Sequence, residues 1–120
     1  MNKYRDKSDF EINKAVAIAR GAEPFHNDGF KKSTGYFHKD AVIIKAKFKI
    51  GAFDPCNNPA DAMPIIIENG IGMNYIDKDI GWCAYHFDEE KGELEIYDKN
   101  YYRAAMICFL IMKDEENEKI

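Results

Sequence analysis

The segment Ala104–Met112 constrains the fold most, because it is a run of nine residues without a charged side chain. It follows Asn100, a residue that can cap a helix, so we predict a helix from Tyr101 to about Lys113 that is apolar on nearly every side. A helix of this kind has to be covered all round by the rest of the chain, and we expect it to be the most buried element. The run is too short to cross a bilayer, which takes about 20 apolar residues.

Two further helices are predicted from residues that are typical of helix starts and helix ends. Ser8 and Glu11 have the spacing of a capping box, and apolar residues at helical spacing follow, so the first helix should span residues 9–20 and stop at Gly21. Asn58-Pro59 is typical of a helix start, and this second helix should end at Asn69-Gly70. Pro64 lies too deep for the first turn, so we expect a kink or a loose beginning near it.

Alternating apolar and polar residues predict the strands. Residues 41–50 alternate as one half-buried strand, and a three-strand meander is expected at 71–77, 82–87 and 93–97. The element order is then α-β-α-β-β-β-α. We predict a single α+β domain over residues 1–120, with a mainly antiparallel sheet of about four strands and three helices packed on it. Residues 8–113 form its ordered core, and residues 114–120 form a fraying acidic tail.

Charge is distributed unevenly along the chain. Residues 1–50 have a net charge of +5 and residues 51–120 a net charge of −9. Lys45, Lys47 and Lys49 share one side of the predicted strand and are compatible with a functional cationic surface. Two structural interpretations are favoured instead: the lysines protect a sheet edge, or they lie opposite Glu93 and Glu95 on an adjacent strand. The acidic balance of the whole chain also disfavours nucleic acid as a partner.

No pattern in the chain indicates catalysis. Cys56, Cys83 and Cys108 are too few and too scattered for a disulfide framework, which favours a reducing cytoplasm. Cys83 and Cys108 are expected to be buried, and Cys56 is the one arguable nucleophile because it precedes a helix. The three histidines do not have metal-ligand spacing with one another or with a cysteine: His26, His38 and His86. We therefore assign no catalytic residue, metal or cofactor, and the chain leans away from being an enzyme.

The polar loop before the second helix is the best candidate for a binding site. Its side chains are either used to cap that helix or form a recognition surface where free amides at the helix N-terminus favour an anion. Trp82 and Arg103 are candidates to line the same pocket, as an aromatic and a cationic anchor. The candidate binding residues are Asp54, Cys56, Asn57, Asn58, Asp61, Trp82 and Arg103.

Three segments carry a family resemblance. They are residues 8–13 (SDFEIN), 53–69 (FDPCNNPADAMPIIIEN) and 102–112 (YRAAMICFLIM). Together, and in this order, they resemble the NinX family of tailed-phage and prophage proteins, which has no assigned biochemical activity. The resemblance implies a small accessory protein of a lambdoid-type phage that is made in the bacterial cytoplasm.

Our leading hypothesis is a non-catalytic phage accessory protein that binds a host or phage protein; a homodimer also remains open. The alternative is a small-molecule binder that takes a nucleotide-type anion on the 54–61 loop and Arg103. A small hydrolase or nuclease is the third hypothesis, and it would need the histidines to converge with carboxylates.

Overall fold

The computed structural model describes residues 3–21, 35–38, 41–46 and 49–118. In this part of the chain there are three helices and six strands: α1 (Asp9–Ala19), β1 (Gly35–His38), β2 (Ala41–Ala46), β3 (Lys49–Phe53), α2 (Pro59–Glu68), β4 (Gly72–Asp77), β5 (Gly81–Asp88), β6 (Gly92–Asp98) and α3 (Tyr101–Glu118). The α+β class and the three predicted helices are confirmed.

The strands form two antiparallel sheets of three strands each, in the orders β1-β2-β3 and β4-β5-β6. The second sheet is the predicted meander. The first sheet adds strands to the predicted four: β1 precedes the first predicted strand, and the predicted strand 41–50 is divided into β2 and β3, with Ala46 opposite Lys49. Alternation did not reveal this division, because a period of two residues is the same in one strand and in two short ones.

The prediction that the lysines face Glu93 and Glu95 on an adjacent strand is wrong. Lys45 and Lys49 belong to β2 and β3, whereas both glutamates belong to β6, in the other sheet. Lys47 lies outside the described residues. Opposite charges can pair across a sheet only when their strands are neighbours, and neither β2 nor β3 is a neighbour of β6.

The apolar helix α3 is the centre of the core, as predicted. Residues 104–110 are all buried, and Phe109 is the largest of their side chains. On one side α3 packs against β5 and β6, where it contacts the core that includes Ile96, and it also packs against α1 and α2. Burying one large aliphatic or aromatic side chain contributes roughly 1.5–3 kcal/mol, so this helix holds the layers together.

The predicted helix starts are confirmed. The Ser8 hydroxyl accepts a hydrogen bond from the Glu11 amide, and the Glu11 carboxylate accepts one from the Ser8 amide. The Asn58 side chain accepts from the Ala60 amide, with Pro59 at the first helical position. Helix α2 then continues through Pro64 to Glu68 as one element.

The C-terminal tail differs from the prediction, because α3 runs on to Glu118 and residues 114–118 are helical. The extension is held from the other end of the chain: the Tyr4 hydroxyl donates to an Asp114 oxygen at 2.6 Å, and the Lys3 ammonium lies 3.3 Å from the same oxygen. Among the helices of the described residues, none has the length and apolar character that a bilayer crossing requires.

Gly81 fixes how the β4–β5 turn meets the end of β6. Its φ is +93°, a left-handed conformation, and a Cβ at this position would lie 2.4 Å from Lys99 Cα and 2.7 Å from the Asp98 carbonyl oxygen. Gly92, in the β5–β6 turn, has a similar φ of +87° but has open space where a Cβ would be. A residue with a Cβ would therefore be strained at both positions, but it would clash with neighbouring backbone only at position 81.

We expect Gly81→Ala to destabilise the protein more than Gly92→Ala does. Both substitutions incur the left-handed penalty of about 1–2 kcal/mol, and Gly81→Ala adds a backbone clash of about 1–3 kcal/mol. Urea denaturation of the two variants measures the difference. Equal losses in the two variants would contradict the close approach of Lys99.

Candidate functional site

Three chain segments meet at a polar cluster, which we call the junction. They are the start of α1, the loop between β3 and α2, and the start of α3. Each segment lies at a helix start, where backbone amides lack partners within the helix and polar side chains supply them. The side chains of the junction are Asp9, Asn13, Asp54, Asn57, Asp98, Asn100 and Arg103.

Arg103 connects the start of α3 to the N-terminal segment. Its Nε donates to Asp98 Oδ2 at 3.0 Å, and its Nη1 donates to Asp9 Oδ1 at 2.7 Å. Its Nη2 donates to the carbonyl oxygens of Arg5 and Lys7 at 3.1 and 2.7 Å. The side chain is only 13% exposed. The planar guanidinium can donate to several fixed acceptors at once. Its two charged partners, Asp9 and Asp98, are side chains of this same chain, so the contacts stabilise the fold.

Asn13 connects α1 to the loop. It is a buried polar residue, 6% exposed, and its side chain donates to Asp54 Oδ1 at 2.7 Å and accepts from the Cys56 amide at 3.0 Å. Its side chain is thereby hydrogen-bonded through both its oxygen and its nitrogen, as a buried amide requires. Asn13 is not among the residues predicted from the sequence. The only signal for it was a polar residue beside Ile12 on the apolar side of α1.

Asn57 and Asn100 complete the junction. The Asn57 amide donates to Asp9 and to Asp54, and Asn100 donates to Asn57 Oδ1 at 3.2 Å and to the Cys56 carbonyl oxygen at 2.9 Å. The Asn100 side-chain oxygen also accepts from the amides of residues 102 and 103, which confirms it as the cap of α3. One asparagine therefore both starts α3 and fixes the loop.

The start of α2 does not offer the free amides that an anion would need. Ala60 N donates to the Asn58 side chain, and the amides of Asp61 and Ala62 donate to the Asn58 carbonyl oxygen. The Asp61 carboxylate accepts from the Asp54 amide at 2.9 Å. Of the loop asparagines, Asn58 alone caps α2, whereas Asn57 is directed to α1 and α3.

The charge balance of this region also opposes an anion. Asp9 and Asp98 contact the guanidinium of Arg103, and Asp54 and Asp61 add two more carboxylates in the adjoining loop. A phosphate placed here would meet these carboxylates and would have to displace the acceptors that Arg103 already has. The geometry therefore gives the nucleotide-type alternative no support. It indicates that the candidate loop residues hold the fold together.

Cys56 is enclosed by the junction. The residue is fully buried, and burial together with the neighbouring Asp9 carboxylate raises the pKa of its thiol to about 12. A nucleophilic cysteine needs the opposite, a lowered pKa and access to solvent. Cys83 and Cys108 are buried as predicted.

Trp82 lies beside the junction, in a row of aromatic rings. Its ring contacts Tyr75 and Tyr101 edge-to-face, with centroid distances of 5.2 and 4.8 Å, and Tyr101 contacts Tyr102 in the same way at 4.9 Å. Trp82 is opposite Asp98 across β5 and β6, so the row adjoins the junction. Its packed rings fix the start of α3 against the second sheet.

A second surface, which the sequence analysis did not single out, lies on the face of the β4–β5–β6 sheet away from α3. Along β5 and β6 the inward residues include Ala84 and Ile96, which are buried in the core. The alternate positions point outward, and we call their surface the outer face: Gly72, Asn74, Cys83, Tyr85, Phe87, Glu93, Glu95 and Tyr97. Cys83, opposite Tyr97, is a buried member of this set. Phe87 is 65% exposed and Tyr97 is 50% exposed.

The outer face is acidic along β6. The Tyr97 hydroxyl donates to Glu95 Oε1 at 2.8 Å, and this bond is the main reason why the pKa of Tyr97 is raised to about 12. The pKa of Glu93 is raised as well, because its carboxyl group shares a hydrogen bond with Glu95 and is repelled by the charge of Glu95. Two like-charged groups are thus held side by side next to exposed aromatic rings.

The histidines do not form a metal site within the described residues. His86 is half-buried on β5, opposite Leu94. The side chain of His38 and the whole of His26 fall outside the part of the chain that the structure describes. Within that part, no group of three or more His, Cys, Asp or Glu residues is arranged to hold a metal ion.

Comparison with known proteins agrees with the resemblance seen in the sequence. The model of the family described as "Bacteriophage P22, NinX" matches residues 3–113, which is most of the chain. The predicted resemblance is thereby confirmed. No curated protein matches the chain.

We expect Arg103→Lys to lower the free energy of unfolding by about 2–4 kcal/mol, because an ammonium group cannot replace the four hydrogen bonds of the guanidinium. Arg20→Lys is the matched control, since Arg20 forms an exposed pair with Glu68 that contributes at most about 1 kcal/mol. Urea denaturation at pH 7 measures both. Similar small losses in the two variants would contradict the structural role of the junction.

We expect Cys56 to resist alkylation in the folded protein. Because the pKa of its buried thiol is raised to about 12, the reactive thiolate is a minor species at pH 8. Iodoacetamide followed by peptide mass spectrometry measures the modification, and the same reaction in urea is the control. Rapid labelling of Cys56 without urea would contradict its burial and would revive it as a nucleophile.

Proposed function

Because the chain belongs to the NinX family of bacteriophage P22, we propose that it is a non-catalytic phage accessory protein that acts by binding a host or phage protein in the bacterial cytoplasm. The family membership makes it a phage accessory protein. The binding activity, the class of the partner and the cytoplasmic site are our proposal. The outer face of the β4–β5–β6 sheet is the surface that we assign to the partner.

The observation that carries this proposal is the exposure of large side chains on one face of a well-supported sheet. Phe87 and Tyr97 expose half or more of their surface on adjacent strands, and Tyr85 lies between them in the register of β5. Single exposed apolar residues are ordinary on protein surfaces, whereas aromatic residues gathered on one face are typical of binding sites.

The outer face is also firmly supported from beneath. The inward residues of β5 and β6 pack on α3, and the end of β6 is tied to Arg103 through Asp98. A binding surface on a rigid element costs less ordering on association than a surface on a loop. The junction thus supports binding indirectly, by fixing the sheet.

The proposal favours a protein partner over a small molecule or nucleic acid. The outer face is a sheet surface, and aromatic side chains of this kind bury area against another surface. Its two glutamates would repel the phosphates of a nucleic acid. The hypothesis of a hydrolase or nuclease has no support from the described residues, among which no His, Cys, Asp or Glu cluster is arranged to hold a metal ion and Cys56 is buried.

We expect Phe87→Ser to abolish or strongly weaken capture of the partner. The tagged protein would be incubated with lysate of phage-infected cells, recovered gently and compared by mass spectrometry. Ile67→Ser is the matched control, because Ile67 is 71% exposed on α2, away from the second sheet, and loses a similar apolar area. A protein retained by the wild type and by Ile67→Ser, but lost from Phe87→Ser, is the expected result.

Two outcomes of this experiment would contradict the proposal. One is a partner retained equally by all three proteins, which would mean that the outer face is not the interface. The other is recovery of the wild-type protein without any partner from infected cells. Equal thermal stability of the two variants shows that a loss of binding is not a loss of folding.

A further inference from the structure

The charge around the outer face indicates the chemistry of its partner. Two acidic residues, Glu93 and Glu95, lie on the outer face, and none of the residues named for that face is basic. Asp98, at the end of the same hairpin, is already paired with Arg103 and does not add to this charge. A surface of this kind attracts basic proteins and repels acidic ones before contact.

The two outward glutamates of β6 are placed so that one cation could serve both. Glu93 and Glu95 are two positions apart on one strand, which places them on the same face about 7 Å apart along the backbone. The two carboxyl groups interact, and the neighbouring Glu95 carboxyl raises the pKa of Glu93. A guanidinium or ammonium group at this point would replace the repulsion between the two carboxylates with two attractions.

The neighbouring rings suit the same kind of ligand. Tyr97 follows Glu95 on the same face and donates to it, and Phe87 is directly opposite Glu93 on β5. A cationic side chain over an aromatic ring gains about 0.5–1 kcal/mol at an exposed site. Its aliphatic stem would also cover apolar ring surface. Carboxylates and ring faces next to each other therefore fit arginine or lysine.

We propose that the occupant of the outer face is a basic segment of the partner protein, which places arginine or lysine side chains against Glu93 and Glu95 and beside the rings of Phe87 and Tyr97. This inference rests on the proposed function, since it names the chemistry of the partner at that same surface. It excludes an acidic segment at this face. It also means that binding weakens as the salt concentration rises.

A peptide probe tests this chemistry directly. The blocked peptide Gly-Arg-Leu-Arg-Gly is titrated into the isotope-labelled protein at low salt, with Gly-Glu-Leu-Glu-Gly as the charge control. We expect saturable NMR shifts at the amides of residues 85, 87, 93, 95 and 97 with the basic peptide and none with the acidic one. Basic-peptide shifts that map elsewhere, or that are absent, would overturn the inference.

The variants separate charge from aromatic contact. Glu93→Gln with Glu95→Gln should weaken binding of the basic peptide about fivefold, as expected for the loss of two exposed charge contacts. The matched control is Glu115→Gln with Glu116→Gln near the end of α3, which removes the same charge outside the outer face and should change the affinity less than about twofold.

The outcomes distinguish this inference from the proposed function. If Phe87→Ser loses the captured partner while the glutamate double variant keeps it and binds the basic peptide unchanged, the face is an interface but its partner is not recognised by charge. If Phe87→Ser keeps the partner, the proposed function itself fails. A loss of partner and peptide in both variants supports the two proposals together.

Discussion

The guanidinium of Arg103 is the contact on which the arrangement of the fold depends. It joins the start of α3 to the start of α1 and to the end of β6, through Asp9 and Asp98. Charged hydrogen bonds with little solvent access are strong. Removing one partner destabilises the fold considerably, because it leaves the other charge buried and unpaired. The same contacts explain why this region is a poor ligand site: its donors and acceptors already serve one another.

The junction and the buried helix α3 together determine which surfaces remain for binding. Helix α3 covers one face of the β4–β5–β6 sheet, and Asp98, at the end of β6, is bound to Arg103. The aromatic row from Tyr75 through Trp82 to Tyr101 fixes the same corner. The opposite face then presents Phe87 and Tyr97 on a rigid support, and rigidity is what allows few side chains to supply most of a binding energy.

Local features could be predicted from the sequence, and tertiary ones only in part. At the caps Ser8, Asn58 and Asn100, the side-chain oxygen accepts a hydrogen bond from an amide only two or three residues later. This spacing can be recognised in the sequence. The apolar run of α3 is equally legible. The division of residues 41–50 into β2 and β3 is not, because both arrangements have the same alternation.

The candidate site shows the same limit more sharply. Asp54, Asn57 and Arg103 are predicted from the sequence, and the structure brings them into one cluster. Their roles depend on Asp9, which is 94 positions from Arg103, and on Asn13, which is 41 from Asp54. The outer face could not be predicted for another reason: an alternating strand predicts which residues face out, but not whether another element covers them.

Hydrogen–deuterium exchange of the protein, free and in complex with its captured partner, is the most direct test of the outer face as the binding surface. Our account predicts protection of the segment 84–97 with unchanged exchange at residues 54–61 and 100–104; protection of these two segments, with 84–97 unchanged, would contradict it.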